Sequence, residues 1–378
     1  MKIGLILMLA LLPTAAAAQT EALPSRDEVM AVVTREAFTE MARQKDLDAH
    51  GGRPHPTVSG VFVAATMRLD APDVRDYALH APPESGTIAF GDVYESLYAR
   101  TGQPDTLMSL RQRLDTTLAD LAGPTPRRPA WGCKDLFLTP AVYARMSVLT
   151  HDPKYLQAMD LAWARAADGL WDAGTDFPAC GAFAKAMTLD DEAAVIAGLA
   201  RVLEVMPADF PSRPGYVEQY QTLAARLIAR QEADGQWRDP SGTARIAYAL
   251  AFGLDHDLLN RETCLPVVLR AWAALNRDIR PDGLLDGNAG TSGAFILAGL
   301  EIARLNDPAT PLPSPVVIHR AYATTAQTER PSGVFGDSTA RHEAQTHPAT
   351  RAVATNPVTD DPSERSLVPV FSLPASSK

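Results

Sequence analysis

The chain is poor in cysteine. Cys133, Cys180 and Cys264 are its whole stock, too few for a small fold held by disulfides. Positive charge is also short: the formal net charge is -10 and the pI about 5.3, which argues against nucleic acid or an anionic membrane surface as partner. Beyond the first dozen residues no apolar run approaches the roughly 20 residues that cross a bilayer, so no membrane partner is expected. Alternating strand patterns with hairpin turns are missing, which excludes an all-β fold. His50 and His55 are separated by Gly and Pro and show no metal-ligand spacing. No glycine-rich phosphate loop or nucleophile elbow occurs, and neither metal nor cofactor is expected.

What remains is helical in period, between two ends of different character. Residues 1–18 carry Lys2, an apolar stretch to Leu12 and a run of alanines to Ala18. That is the pattern of a secretory signal peptide cut after Ala18, and it predicts a periplasmic or secreted protein. Residues 307–378 lose the apolar period and turn rich in Pro, Thr and Ser, a composition that predicts a disordered tail. Residues 19–306 are then left as one large domain.

Within that domain two kinds of helix alternate. Segments near 58–67, 90–100, 136–149, 193–206, 243–254 and 291–305 are rich in small residues and apolar nearly all round, as helices buried on every side must be. Segments near 26–45, 73–80, 105–121, 154–170, 214–233 and 261–279 carry a charged face. A helix pair recurring every 45–55 residues or so signals a repetitive architecture. Six buried and six amphipathic helices predict an all-α (α/α)6 barrel, and an open solenoid is the alternative. In the barrel the connections from amphipathic to buried helices gather over the amino termini of the inner ring. These connections, 46–57, 81–89, 122–135, 171–192, 234–242 and 280–291, are the long ones, and long loops on a rigid scaffold are where sites form.

One stretch stands out there. Trp131-Gly-Cys-Lys-Asp-Leu-Phe-Leu-Thr-Pro140 sets an indole, an ammonium (Lys134) and a carboxylate (Asp135) at the mouth of a buried helix, whose positive end favours an anion. Asp135 can cap that helix or act as an acid. Trp131 and Trp237 offer rings on which apolar sugar faces stack, and Asp190 and Asp191 offer acceptors for hydroxyls. Asp190-Asp191-Glu192 can equally be a charged first turn that complements the helix dipole. Asp234 and Asp282, each followed by Gly, read as turn residues. Cys133 and Cys180 fall in neighbouring rim loops and could pair in an exported protein, with three buried free thiols as the alternative.

Asp135-Leu-Phe-Leu-Thr-Pro140 with Asp152-Pro-Lys-Tyr-Leu156, Ala197-Gly-Leu-Ala-Arg-Val-Leu-Glu-Val-Met-Pro207, Asp234-Gly-Gln-Trp237, Ser241-Gly-Thr-Ala244 and Ser292-Gly-Ala-Phe-Ile-Leu-Ala-Gly299 follow in order a pattern that resembles the unsaturated rhamnogalacturonyl and glucuronyl hydrolases. The resemblance implies an (α/α)6 barrel and an oligosaccharide substrate, a lyase product with a C4=C5 double bond. It implies an Asp that protonates this vinyl ether and helps add water. Departures concentrate at the site. The family's Asp falls on Lys134, with Asp135 one place late. Its Trp-Ser-Arg-Gly-Asn-Gly-Trp signature falls on Thr188-Leu-Asp-Asp-Glu-Ala-Ala194, without the arginine or the aromatics. Its earlier Asp falls near Gly86, with Glu84 close by. The resemblance therefore leaves two expectations: an exported glycoside hydrolase with Asp135 as its acid, or a non-catalytic relative that binds saccharide or protein with the same rim. In the first, Lys134 would hold a substrate carboxylate in place of the missing arginine.

Overall fold

The computed structural model describes residues 22–52, 56–69, 71–80, 88–122, 131, 133, 135–170 and 188–306. The leader 1–18, the tail 307–378, Lys134 and Cys180 lie outside them, as do residues 81–87, 123–130 and 171–187 of the long rim loops. The chain divides into two units, Met1–Tyr322 and Ala323–Lys378, and every described residue lies in the first.

Twelve α-helices follow one another among the described residues: α1 (Arg26–Ala49), α2 (Pro56–Thr66), α3 (Pro72–His80), α4 (Gly91–Thr101), α5 (Asp105–Ala122), α6 (Thr139–Thr150), α7 (Lys154–Leu170), α8 (Leu189–Val205), α9 (Arg213–Ile228), α10 (Pro240–Asp255), α11 (Arg261–Arg277) and α12 (Ala289–Asn306). No strand occurs among these residues, and a single bridge joins Ile279 and Leu285. None of these helices is long and apolar enough to cross a membrane.

The even-numbered helices close on themselves: α2 packs on α4, α4 on α6, α6 on α8, α8 on α10, α10 on α12 and α12 back on α2. Of the odd-numbered helices, α1 lies against α12, α3 against α2 and α4, α5 against α4, α7 against α6, α9 against α8 and α11 against α10. This is an (α/α)6 barrel, and the closure of the inner ring excludes the solenoid. Small residues let the ring close. A Cβ on Gly293 of α12 would sit 2.6 Å from backbone atoms of Val61 and Phe62 on α2, so these two helices touch main chain to main chain. The seam between the first and last helices is apolar where Val29 and Val33 meet Gly299 and polar at its other end. Ser292 donates to the Glu36 carboxylate at 2.7 Å and Leu285 N–H donates to it at 3.0 Å, fixing the loop ahead of α12 to α1.

The inner helices are apolar on most sides but enclose a band of charge. Asp92 and Glu95 of α4, Arg145 of α6, Arg201 of α8 and Glu301 of α12 are buried, with Arg68 just past α2. Arg145 Nε donates to Glu95 at 2.7 Å, Arg201 donates to both oxygens of Asp92 at 2.9 Å, and Arg68 grips Glu204 with both terminal nitrogens. Buried charge persists where it is paired and hydrogen-bonded.

Several boundaries shift from the sequence expectation: α8 begins at Leu189 rather than near 193, α9 ends at Ile228 rather than near 233, and a third shift bears on the site. The helix predicted from residue 136 begins at Thr139, where Pro140 takes a first-turn position. Proline suits that place because its missing N–H has no partner there in any case. Asp135–Phe137 form a separate 3₁₀ turn.

Candidate active site

A cavity of about 520 Å³ opens where the amino termini of the inner helices converge. Its apolar wall comes from Val58 and Val61 of α2, Phe137 of the 3₁₀ turn and Ala194 of α8. Its polar groups are Asp135, Asp190, Ser241, Arg245 and Asn288. Helix amino termini carry unpaired N–H groups and partial positive charge, so the cavity is suited to an anionic or hydroxyl-rich ligand.

Asp135 stands on a turn whose next two residues, Leu136 and Phe137, are each 2% exposed. They anchor the turn in the core and leave the carboxylate half-buried at the cavity. Gly198 of α8 makes this seating possible, because a Cβ there would meet Leu136 O at 2.0 Å. The N-cap position of α6 belongs to Leu138 and receives no side-chain cap. Asp135 lies ahead of this helix on its own 3₁₀ turn, three residues before the N-cap position.

The acidic run at α8 separates into three duties. Asp190 faces the cavity and ion-pairs with Arg245 of α10. Asp191 turns back to form a capping box: Thr188 N–H and Oγ donate to it at 3.1 and 2.6 Å, and its own N–H donates to Thr188 Oγ at 3.3 Å. Glu192 is buried and pairs with Arg226 at 3.2 Å and Arg230 at 2.5 Å on the outer side. The expectation that Asp191 binds substrate is corrected, since its carboxylate already serves the helix end.

Both indoles expected at the rim are corrected as well. Trp237 is 1% exposed and donates Nε1–H to Leu227 O at 2.7 Å. It is a core residue between α9 and α10. Trp131 is buried against Tyr143, with ring centroids 5.6 Å apart, and is not among the cavity residues. Lys134 lies outside the described residues. Asp234 and Asp282 make the turns expected of them, accepting N–H bonds from Gln236 at 3.0 Å and Leu284 at 3.1 Å. Cys133 is disulfide-bonded. Cys264 is a buried free thiol, pushed up to about 12 by its burial. Among the described residues no group of His, Cys, Asp and Glu is placed to hold a metal ion.

Sequence reasoning missed Arg245, Ser241 and Asn288. Arg245 did leave a signal: it is the one charged residue between Pro240 and Leu254, a stretch otherwise suited to complete burial. A lone guanidinium one turn into a buried helix needs either a buried partner or a cavity.

Residues 192–299 match the model of Glycosyl Hydrolase Family 88. The chain is 30% identical over 169 residues to an unsaturated 3S-rhamnoglycuronyl hydrolase of Alteromonas sp. (strain LOR), covering 39% of this chain and 41% of that protein. It is 27% identical over 225 residues to a protein of the same description from Formosa agariphila, covering 47% of this chain and 58% of the relative. The match thus spans roughly half the length of these relatives. A glycosyl hydrolase family 88 protein from Bacteroides vulgatus shares the fold with a TM-score of 0.62 at 18% identity, over 74% of this chain and 99% of that one. The fold is the six-hairpin (α/α)6 barrel, and the sequence is similar to carbohydrate-processing hydrolases. More narrowly, the chain is unsaturated uronyl hydrolase-like.

Proposed function

We propose that this chain is an exported glycoside hydrolase that acts on oligosaccharides ending in an unsaturated uronyl sugar, with Asp135 as acid and base. The observation that carries the reading is Asp135 itself. It is a half-buried cavity carboxylate on a turn anchored in the core, at the point where inner-helix amino termini meet. Of the neighbouring acids, Asp190 pairs with Arg245 and Asp191 caps α8 through Thr188. In the reaction Asp135 gives its proton to C4 of the C4=C5 vinyl ether. Positive charge develops at C5, a water oxygen bonds there, and its proton returns to Asp135. The resulting hemiketal opens, the ring oxygen leaves C5 with the electron pair, and the anomeric centre releases the remainder of the saccharide. The likeness to the two hydrolases named above supports this substrate class, and the leader 1–18 supports export.

Asp135→Asn retains shape and hydrogen-bonding capacity and removes the titrating proton. Turnover, followed as loss of the double bond's ultraviolet absorbance, is expected to fall by about 10²–10⁴ with melting temperature unchanged, the usual range for a positioned acid. Full activity in the variant would remove Asp135 from the chemistry. A parent that binds unsaturated oligosaccharides and leaves the double bond intact would be a binding relative instead. Sequencing the amino terminus of exported protein tests the cut after Ala18.

A further inference from the structure

We infer that Arg245 is the residue that selects a substrate carboxylate in this cavity, and that Asp190 is its resident counter-ion rather than a sugar-binding group. The inference takes its substrate class from the hydrolase reading, but it concerns binding and can be tested without turnover.

Four observations support it. First, among the described residues that line the cavity Arg245 is the cationic one, and Asp135 and Asp190 are the anionic ones. Second, its side chain is 15% exposed, so the charge is largely withdrawn from water yet reaches the cavity. Third, only part of the guanidinium is used. One terminal nitrogen meets Asp190, and Nε is buried with no hydrogen-bond partner. A planar fork held by one edge has N–H groups left for a second oxyanion, the geometry in which Arg exceeds Lys. Fourth, α8 supplies no arginine at this end: positions 188–194 read Thr-Leu-Asp-Asp-Glu-Ala-Ala. The cation comes from the neighbouring inner helix, and the aspartate at 190 meets it across the cavity wall. Relative to the hydrolase signature, the positive charge has moved from α8 to α10.

The role of Asp190 follows from the same geometry. Without ligand, a guanidinium so enclosed needs a partner, because a buried unpaired charge is strongly unfavourable. Asp190 supplies one at the edge of the cavity, with its own side chain 35% exposed. An incoming carboxylate then shares the guanidinium with it. Asp190 thus weakens anion binding while preserving the empty site, and a neutral sugar, which offers only hydroxyl acceptors, gains less from Arg245 than a carboxylate does.

The test is calorimetric titration of the full chain with an unsaturated uronyl disaccharide and with the same disaccharide reduced at C6 from carboxylate to alcohol. The Asp135→Asn background keeps the ligand intact. The parent is expected to favour the carboxylate form roughly 10- to 100-fold, the span of a hydrogen-bonded charge contact. Arg245→Gln should abolish that preference and leave the weaker binding of the reduced sugar. Arg245→Lys should restore part of it. Asp190→Asn should tighten the uronate several-fold and leave the reduced sugar unmoved. A group that binds sugar hydroxyls would instead lose affinity for both ligands on this change. An unchanged preference in Arg245→Gln, or equal binding of both ligands by the parent, overturns the inference. If Arg245→Gln does not fold, Asp190→Asn decides alone: tighter uronate binding upholds the proposal, and looser or equal binding refutes it. Preferential binding by a parent without turnover would remove the hydrolase reading and keep Arg245. Turnover with an unaltered preference in Arg245→Gln would do the reverse.

Discussion

Trp237 donates its indole N–H to Leu227 O and is 1% exposed, while its own N–H donates to Thr243 Oγ at 2.9 Å. The side chain therefore ties the turn ahead of α10 to α9 and has no face for a ligand. Trp237→Phe should keep most of the volume and remove the indole bond, while Leu227 O keeps the Arg230 N–H at 3.0 Å. Losing one hydrogen bond of this kind costs about 0.5–1.5 kcal/mol, so the melting temperature should drop by a few degrees while KM for any saccharide stays put. A raised KM with unchanged stability would restore the stacking role expected from sequence. Arg245 takes a place at the cavity that the sequence reading gave to this indole, for a physical reason. Aromatic area is buried wherever helices leave room for it, whereas a cation inside an apolar helix is tolerated only where a partner or a cavity exists.

At the scale of elements, the position of Asp135 is set by a close approach between α8 and the 3₁₀ turn Asp135–Phe137. Gly198 lies at that contact, and any side chain there meets Leu136 O and Leu136 C at 2.0 and 2.7 Å. These are main-chain atoms that cannot rotate away, so Gly198→Ala must displace the turn. The expected result is a loss of stability of about 1–3 kcal/mol, the usual range for overpacking, together with a fall in turnover as Asp135 leaves its place. Ala at 198 with full activity would show that the turn is not rigidly seated. Most of the scaffold was legible: helices apolar all round fell inside, those with a charged face fell outside, and short turns closed each pair. The 3₁₀ turn was harder to see, because Leu136 and Phe137 continue the apolar pattern of α6, although Pro140 marks the helix start. The site was only partly legible. Asp135 and Asp190 reach one cavity, but the link from Asp190 to Arg245 joins residues 55 positions apart, and no local pattern encodes it.

For the whole barrel, the buried charges set a dependence of stability on pH. Four carboxyl groups, Asp92, Glu95, Glu204 and Glu301, share the interior with the guanidinium groups of Arg68, Arg145 and Arg201. Burial pushes the Glu301 carboxyl up to about 8, with Glu204 and Asp255 adding to the rise and Arg304 and Arg68 opposing it; Tyr248 faces the same region. Glu95 is also pushed up to about 8 by burial and by Asp92, against the pull of Arg145. Between an ordinary value near 4.5 and about 8 the folded chain therefore holds protons that the unfolded chain releases. The stability contributed by these protons is complete below about pH 4.5 and is lost as pH rises toward 8, by at most about 1.4 kcal/mol per pH unit for each group. Asp92 and Glu204 act in the opposite sense. Burial would raise them, but the surrounding arginines hold them below the usual carboxylate range. Their contribution is present above that range and is lost as pH falls through it. The sum is a melting temperature that peaks in mildly acidic buffer and declines toward pH 8. Glu301→Gln tests the assignment, because glutamine mimics the protonated acid at every pH. Its melting temperature should match the parent near pH 5 and exceed it increasingly up to pH 8. A parent curve flat between pH 5 and 8, or a variant that declines as steeply as the parent, would show that Glu301 holds no such proton.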